Sequence, residues 1–179
     1  MVRSARLALS APPGRIADLG TGGGVPGLIF ALSYESAEVD LIEVRQRRAD
    51  FLNATLRGLD LTKRVRVIER RAEEVGRDRE HRHRYDLVTS RSFGPPAVVA
   101  ECGSPLLARG GVLVVSEPPS DDGHRWPAKD LESLALRRAD VTQPSYATAQ
   151  PSIRILKSLD FCDQRFPRRP GVPARKPLW

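Results

Sequence analysis

Short apolar runs alternate along the chain with stretches whose apolar residues repeat at helical spacing. The runs predict β-strands at residues 15–19, 39–44, 65–68, 86–90, 111–116 and 153–159. The helical patterns predict helices at residues 27–33, 45–57, 96–107 and 129–138. Strands that alternate with helices are typical of a parallel, doubly wound sheet. The sequence therefore predicts an α/β fold with a mostly parallel sheet and helices on both faces.

The C-terminal residues depart from this alternation. Residues 165–179 contain four prolines, and almost all of their charges are positive. Because proline disrupts a regular helix, this segment is expected to be an extended basic arm. A chain of 179 residues with 40% hydrophobic content is long enough for one core. We therefore expect residues 1–160 to form one domain and residues 161–179 to be a basic, proline-rich arm of that domain.

The charge balance points to a polyanionic partner. The formal net charge is +7, and nearly all of the excess is arginine, because the chain has only four lysines. Arginine makes bidentate contacts with phosphate, so nucleic acid is a plausible partner, although a compositional bias toward arginine is the alternative. The arm concentrates these cations, and phosphate contacts are predicted there unless the arm is only a solvated tail. The predicted RNA-binding residues are Arg165, Arg168, Arg169, Arg175 and Lys176.

Other classes of site and location are not favoured. Cys102 and Cys162 have no metal-ligand or redox spacing, and His81 and His83 lie among cations, so no metal is expected. No run approaches the length of a membrane span, and the N-terminus is too weakly apolar for a signal peptide. We expect a cytoplasmic protein with no membrane association, and no pattern in the sequence indicates its oligomeric state.

The most informative motif is a glycine-rich turn at residues 18–27, between the first predicted strand and the first predicted helix. Such a turn brings backbone amides and a helix N-terminus against a polar small molecule, typically a nucleoside-type cofactor. In open parallel sheets this position lies beyond the carboxyl ends of the strands, where ligands bind. A tight turn with no ligand is the structural alternative.

Two cofactor classes fit this turn. The spacing of Gly22, Gly24 and Gly27 satisfies the dinucleotide fingerprint. Asp18, however, would repel a pyrophosphate, whereas it could hold the ammonium group of S-adenosylmethionine, directly or through water. Glu43, at the end of the second predicted strand, could accept hydrogen bonds from both ribose hydroxyls in either case. These residues predict an adenosine ligand and leave NAD and S-adenosylmethionine both open.

Several ordered motifs together carry a resemblance to a known family. They are residues 18–27, Glu43-Val-Arg-Gln-Arg-Arg, Arg70-Arg-Ala-Glu-Glu, Tyr85-Asp-Leu-Val-Thr-Ser-Arg-Ser-Phe and residues 166–178. From about residue 15 to the C-terminus, the chain resembles the ribosomal RNA small-subunit methyltransferase G family, also called glucose-inhibited division protein B. The resemblance implies a Rossmann-like class I methyltransferase domain that uses S-adenosylmethionine. It also implies methyl transfer to N7 of a guanine in small-subunit (16S) ribosomal RNA, with that RNA or the small ribosomal subunit as partner.

The resemblance also assigns residues. It implies that Gly20 and Val25 line the methionine side of the pocket, that Ala72 and Glu73 border the adenine, and that Arg91 lies beside the transferred group. Guanine N7 carries a lone pair and no proton, so alignment and electrostatics can supply most of the rate without a general base. Arg91, the predicted catalytic residue, could hold a phosphate or O6 of the target. The predicted cofactor-binding residues are Asp18, Gly20, Gly22, Gly24, Val25, Gly27, Glu43, Ala72, Glu73 and Arg91.

The chain departs from the family pattern at two places. Seventeen residues precede Asp18, where the family usually has a longer helical segment. After the fifth predicted strand the family usually has a Lys-Gly pair, whereas this chain has Ser116-Glu-Pro-Pro. Glu117 is therefore expected to repel an anionic substrate, by about 1 kcal/mol or more at close range. Two alternatives follow: a homologue that binds the cofactor and docks on RNA or ribosomes without catalysis, and a methyltransferase redirected to a small molecule.

Overall fold

The computed structural model describes residues 1–118, 124–139 and 152–179. Seven strands and seven α-helices are found in these residues. In chain order they are α1 (Val2–Ala8), β1 (Arg15–Leu19), α2 (Gly27–Ser33), β2 (Glu38–Ile42), α3 (Gln46–Gly58), β3 (Val65–Ile68), α4 (Ala72–Arg77), β4 (Tyr85–Arg91), α5 (Pro96–Gly103), β5 (Leu107–Glu117), α6 (Ala128–Ser133), β6 (Leu136–Arg138), β7 (Ser152–Ser158) and α7 (Val172–Arg175). A 3₁₀ turn at Ser104–Leu106 joins α5 to β5.

The strands form one sheet in the order β3-β2-β1-β4-β5-β7-β6. The first five strands along the chain pair in parallel, and β7 pairs antiparallel with both β5 and β6. The chain reverses its direction of travel across the sheet between β1 and β4, and this reversal opens a crevice at their carboxyl ends. The prediction of a mostly parallel α/β sheet is confirmed.

Apolar side chains cover both faces of the sheet. Within β4, Leu87 belongs to one cluster and Val88 to the other, because successive side chains of a strand point to opposite faces. Trp126 is fully buried in the same cluster as Val88. Burial on both faces explains why the parallel strands are continuous apolar runs in the sequence rather than alternating ones.

The predicted helix at residues 129–138 is wrong in its second half. The helix α6 ends at Ser133, and Ala135 adopts a left-handed backbone with φ of 56°. The next three residues form β6, whose Leu136 pairs with Ser158 of β7. Pairing with a neighbouring strand therefore overrides the local helical pattern. The predicted helix at residues 96–107 likewise stops early, at Gly103.

The expectation of an extended C-terminal arm is also wrong in part. Val172–Arg175 form one helical turn, and Pro173 occupies its first turn, where the missing N–H costs nothing. The side chains of Phe166 and Cys162 are buried in the core. The segment therefore packs on the domain. None of the helices in the three described ranges is long and apolar enough to cross a membrane.

Candidate functional site

The glycine-rich turn follows β1 directly and leads into α2. Gly20, Gly22 and Gly24 all have positive φ, at 60°, 59° and 92°. At Gly20 a side chain is also excluded by space, because a Cβ would lie 2.5 Å from Cδ2 of Phe93. At Gly27 a Cβ would collide with the side chain of Leu41, so this glycine lets α2 pack directly on the sheet.

Asp18 lies beneath this turn and is fully buried. Its Oδ2 accepts a hydrogen bond from the Gly27 amide at 2.9 Å, and its Oδ1 accepts one from the Thr89 hydroxyl at 2.7 Å. Burial raises the pKa of Asp18 to about 6, although the hydrogen bonds to its carboxylate act in the opposite direction. The carboxylate therefore fixes the start of α2 from inside the fold.

A cavity of about 310 Å³ opens beside the turn, at the carboxyl ends of β1 and β2. We call it the Glu43 cavity. Its wall brings together four of the predicted cofactor residues: Gly20, Glu43, Ala72 and Glu73. Asp18, Gly22, Gly24, Val25, Gly27 and Arg91 are not part of that wall.

Glu43 is the central acceptor of this cavity. It is only 4% exposed, yet it lines the wall. Its Oε2 accepts a hydrogen bond from the Gly22 amide at 3.1 Å, and its Oε1 accepts one from the Arg45 amide at 2.9 Å. These two donors hold the carboxylate at the end of β2. A carboxylate has about four acceptor positions, so ribose hydroxyls can bind Glu43 in addition to the two amides.

The opposite wall is formed by the start of α4 and by the C-terminal segment. Glu73 Oε1 accepts a hydrogen bond from the Gly171 amide at 2.8 Å, and Ala174 of α7 lines the cavity. Sequence reasoning found Ala72 and Glu73 only through the family resemblance. It missed α7, because contacts between residues about a hundred positions apart leave no local pattern.

Four arginines also line the Glu43 cavity, and sequence reasoning did not select them. They are Arg45, Arg48, Arg70 and Arg71. Arg48 lies 3.6 Å from Glu43, and Arg70 donates to Asp78 at 2.6 Å. A signal for them was present in the sequence, because all four belong to two of the motifs that carry the family resemblance, residues 43–48 and 70–74.

A second cavity, of about 330 Å³, lies at the carboxyl ends of β4 and β5. We call it the Glu117 cavity. Ser92 and Phe93 line both cavities, so the two meet at the end of β4. Arg91 is exposed beside this junction, and Val25 is partly exposed in the turn.

The expectation that Glu117 repels an anionic substrate is wrong, because the structure pairs its carboxylate with a cation. Glu117 is 6% exposed, and its Oε2 accepts a hydrogen bond from Nη1 of Arg125 in a salt bridge. Trp126 donates its Nε1–H to Oε1 at 3.2 Å. The expectation treated Glu117 as an isolated charge, whereas folding brings the Arg125 guanidinium against the carboxylate and neutralises its charge. Arg125 also lines the Glu117 cavity.

The C-terminal cations occupy different surroundings. Arg168 donates to both oxygens of the fully buried Glu101, at 2.8 and 2.6 Å. Arg165 pairs with Asp163 and lies over the Phe166 ring. The side chains of Arg169, Arg175 and Lys176 are exposed. Arg168 therefore fastens the segment to α5, which leaves the exposed cations available to a partner.

No group of three or more histidine, cysteine, aspartate or glutamate side chains in the described ranges is arranged to hold a metal ion. A larger cavity, of about 590 Å³, lies near α1 and the end of α2 and includes Arg6, Tyr34 and Glu35. None of the predicted site residues lines it. The candidate site is therefore the joined pair of the Glu43 and Glu117 cavities.

Comparison with known proteins finds similarity to a single methyltransferase family along most of the chain. The family model for rRNA small subunit methyltransferase G matches residues 3–120. A ribosomal RNA small subunit methyltransferase G from Thermotoga neapolitana is 31% identical over 167 residues, which are 92% of this chain and 72% of that protein. One from Clostridium botulinum is 30% identical over 164 residues, which are 90% of this chain and 68% of that protein.

Solved structures support the fold. The StiE O-MT domain is similar with a TM-score of 0.60 and 18% identity, covering 87% of this chain and 72% of that chain. Coclaurine N-methyltransferase bound to N-methylheliamine and SAH is similar with a TM-score of 0.51 and 18% identity, covering 64% of this chain and 34% of that chain. The prediction of a Rossmann-like class I methyltransferase fold is confirmed.

Proposed function

Because the chain belongs to the ribosomal RNA small subunit methyltransferase G family, a family of S-adenosylmethionine-dependent enzymes, we propose that it methylates N7 of a guanine in small-subunit ribosomal RNA. The observation that supports this proposal is the pair of cavities that meet at Ser92 and Phe93. One cavity suits the methyl donor and the other suits the acceptor base. Their junction is the place where a methyl group can pass between them.

The residues of the Glu43 cavity fit S-adenosylmethionine. Glu43 is held by two backbone amides with its carboxylate at the wall, which suits a pair of ribose hydroxyls. A Cβ at Gly20 would collide with Phe93, so a glycine at this position lets the turn and the Phe93 ring form the cavity wall together. When bound, the cofactor supplies a methyl group activated by a sulfonium. We propose that Ala72 and Glu73 border the adenine, and that Gly20 and Val25 lie on the methionine side.

We assign Asp18, Gly22, Gly24 and Gly27 to the shape of the turn. Asp18 is buried under the turn and accepts from the Gly27 amide, so it positions α2 without lining the cavity. Gly22 presents its amide to Glu43. These residues affect the cofactor only through the shape of the turn. A substitution at any of them would displace the turn.

The acceptor chemistry requires little from the protein. Guanine N7 needs no general base, so the site has to align the base and exclude competing geometries. Arg91, exposed at the end of β4 beside the cavity junction, is proposed to hold a phosphate or O6 of the target nucleotide. It would then be the catalytic residue of the chain.

The RNA-binding surface is proposed to include the exposed cations of the C-terminal segment. Arg169, Arg175 and Lys176 have exposed side chains that can reach phosphates, and Arg165 can exchange Asp163 for a phosphate. Arg168 contributes by holding the segment in place through Glu101. Contacts of this kind strengthen binding without reading sequence, and they weaken as salt rises.

The first experiment measures methyl transfer from labelled S-adenosylmethionine to protein-free ribosomal RNA and to small ribosomal subunits. Nuclease digestion and chromatography then identify the labelled nucleoside, and 7-methylguanosine is expected. Cofactor binding without any labelled RNA would instead indicate a homologue that binds without catalysis. A labelled small molecule in place of RNA would indicate a redirected enzyme.

The second experiment tests the cofactor site by calorimetry. Glu43→Gln is expected to weaken S-adenosylmethionine binding by about tenfold or more, because charged hydrogen bonds contribute about 1.5–3 kcal/mol. Glu38→Gln is the matched control, because Glu38 begins the same strand and its side chain is exposed. Tighter binding of NAD than of S-adenosylmethionine by the unaltered protein would refute the proposal.

A further inference from the structure

The charges along the wall of the Glu43 cavity do not match those of a cofactor alone. Four arginines and two glutamates line this cavity. S-adenosylmethionine carries one carboxylate, one ammonium group and one sulfonium, so it adds a further net positive charge. The filled cavity would therefore hold a cation beside an excess of cations, an arrangement that favours a second, anionic ligand at the same opening.

The four arginines, which we call the arginine rim, come from two neighbouring segments. Arg45 and Arg48 follow β2, Arg70 and Arg71 follow β3, and all four are exposed. Arg48 lies 3.6 Å from a carboxylate and Arg70 lies 2.6 Å from another. Within the described part of the chain, no carboxylate pairs with the guanidinium of Arg45 or of Arg71. The rim therefore presents uncompensated positive charge to solvent.

The opposite wall of the cavity adds further positive charge. Ala174 of α7 lines the cavity, and the adjacent Arg175 is exposed. The Gly171 amide donates to Glu73 at the start of α4, which holds α7 against this wall. A chain of phosphates that crosses the opening would meet cations on both sides. This arrangement suits a polyanion better than a single phosphate group.

An exposed aromatic side chain lies beside the arginine rim. Phe51 is 57% exposed and follows Arg48 by three positions in α3, so the two side chains share a face of that helix. The buried residues of α3 lie on its other face. Proteins that bind single-stranded nucleic acid combine a cationic groove with aromatic rings on which bases stack. The combination favours a single strand of nucleic acid over a duplex, a free nucleotide or an acidic protein.

We propose that the arginine rim and Phe51 bind single-stranded RNA, whose phosphates cross the opening of the Glu43 cavity. This inference rests on the proposed function and adds a second RNA-binding surface to that of the C-terminal segment. The strand runs from the cavity junction, where the target base binds, across the cofactor. Its phosphates cancel the repulsion between the rim and the cationic cofactor. RNA and cofactor therefore bind cooperatively, and each tightens the other by the same factor.

Fluorescence anisotropy of a labelled single-stranded RNA, measured over a range of salt concentrations, tests the rim. The test variant combines Arg45→Gln with Arg71→Gln, because the backbone amides at both positions keep their contacts. The matched control combines Arg57→Gln with Arg77→Gln, which makes the same charge change at the C-terminal ends of α3 and α4.

The slope of log affinity against log salt should become shallower by about 1.4 in the test variant, about 0.7 for each lost phosphate contact. The control should keep the slope of the unaltered protein. Equal slopes for the two double variants would overturn the proposal.

Phe51→Ala separates stacking from charge. It should weaken binding of the single strand by about fivefold or more, without a change in the salt slope. Binding of a duplex of the same sequence should not change. Phe161→Ala removes a ring that is 56% exposed beyond the end of β7, and it serves as the control. Equal affinities of these two variants for the single strand would overturn the role of Phe51.

Calorimetry tests the cooperativity with sinefungin, an unreactive analogue of the cofactor that keeps its positive charge. Saturating RNA should tighten sinefungin binding to the unaltered protein by about fivefold or more, and this gain should be smaller in the rim variant. Without RNA, the rim variant should bind sinefungin at least as tightly as the unaltered protein, because cations have been removed from the wall. Weaker binding would mean that the arginines hold the cofactor itself, and no gain from RNA would mean that the strand lies elsewhere. Either result would overturn the proposal.

These measurements do not depend on methyl transfer, so two failures can be told apart. Absence of labelled RNA in the methyl-transfer assay overturns the proposed function. An unchanged salt slope for the rim variant of a protein that does methylate RNA overturns the role of the arginine rim alone.

Discussion

Gly20→Ala should damage the site and the fold together, whereas Gly23→Ala, three residues along the same turn, should not. Gly20 has a left-handed backbone, with φ of 60°, and its missing side chain is the space against which Phe93 packs. Gly23 has no positive φ, and nothing lies within 4 Å of a Cβ built there. The two variants make the same chemical change in the same turn. They differ only in that the structure requires a positive φ and the absence of a side chain at residue 20 and requires neither at residue 23.

The cost at Gly20 has two parts. A left-handed conformation costs an alanine about 1–2 kcal/mol. A Cβ placed 2.5 Å from Cδ2 of Phe93 also forces the ring or the turn to move, and overpacking of this kind costs about 1–3 kcal/mol. We therefore expect Gly20→Ala to lose about 2–5 kcal/mol of unfolding free energy, a large share of the usual total of about 5–15 kcal/mol.

Urea denaturation measures the unfolding free energy of both variants, and calorimetry measures their affinity for S-adenosylmethionine. Gly20→Ala should also bind the cofactor more weakly, because Phe93 and Gly20 both line the Glu43 cavity. Gly23→Ala should match the unaltered protein or gain slightly, since alanine reduces the entropy of the unfolded chain. Equal stability and equal affinity for the two variants would refute the packing of Phe93 on Gly20.

Three further predictions concern groups outside the Glu117 cavity. Asp18 has its pKa raised from 3.8 to about 6 in the folded protein, so its stabilising contribution is complete below pH 3.8 and is lost as pH rises through 6. As pH rises through this range, the unfolding free energy of Asp18→Asn, measured by urea denaturation, should increase relative to that of the unaltered protein, by on the order of 3 kcal/mol at pH 7. A difference between the two proteins that does not change with pH would contradict this. Arg168→Ala removes the guanidinium and leaves the buried Glu101 carboxylate with only the backbone amide of residue 168 as its donor on this segment, so it should cost about 3 kcal/mol in the same assay. The exposed Arg169→Ala should stay within about 0.5 kcal/mol, and equal costs would show that the Arg168 side-chain contact is not formed. Arg91→Ala should lower single-turnover methyl transfer while calorimetry shows unchanged cofactor affinity, and an unchanged rate would remove Arg91 from the catalytic role.

The elements that the sequence predicted correctly are those with strong local signals. The first strand and the helix after the glycine-rich turn match the structure at both ends, because apolar periodicity and turn residues define them. The helix α4 and the strand β6 were missed. Both are short, at six and three residues, and β6 exists only through its pairing with β7.

The residues of the site also divide into those that local sequence located correctly and those whose orientation depends on packing. Glu43 was identified from its position at the end of a predicted strand, and the structure places it at the cavity wall. Asp18 was identified by the same reasoning, but its side chain points under the turn, because the start of α2 supplies donors there. The direction in which a carboxylate at a turn points depends on which hydrogen-bond donors packing brings close to it.

The sequence by itself determined the class of fold, the glycine-rich turn and the family, since each is written in the order and spacing of neighbouring residues. Only the tertiary structure decided how the distant charges pair. It placed Arg125 on Glu117, Arg168 on Glu101 and the Gly171 amide on Glu73. A buried carboxylate must find a donor wherever the fold supplies one, and that donor can lie anywhere along the chain.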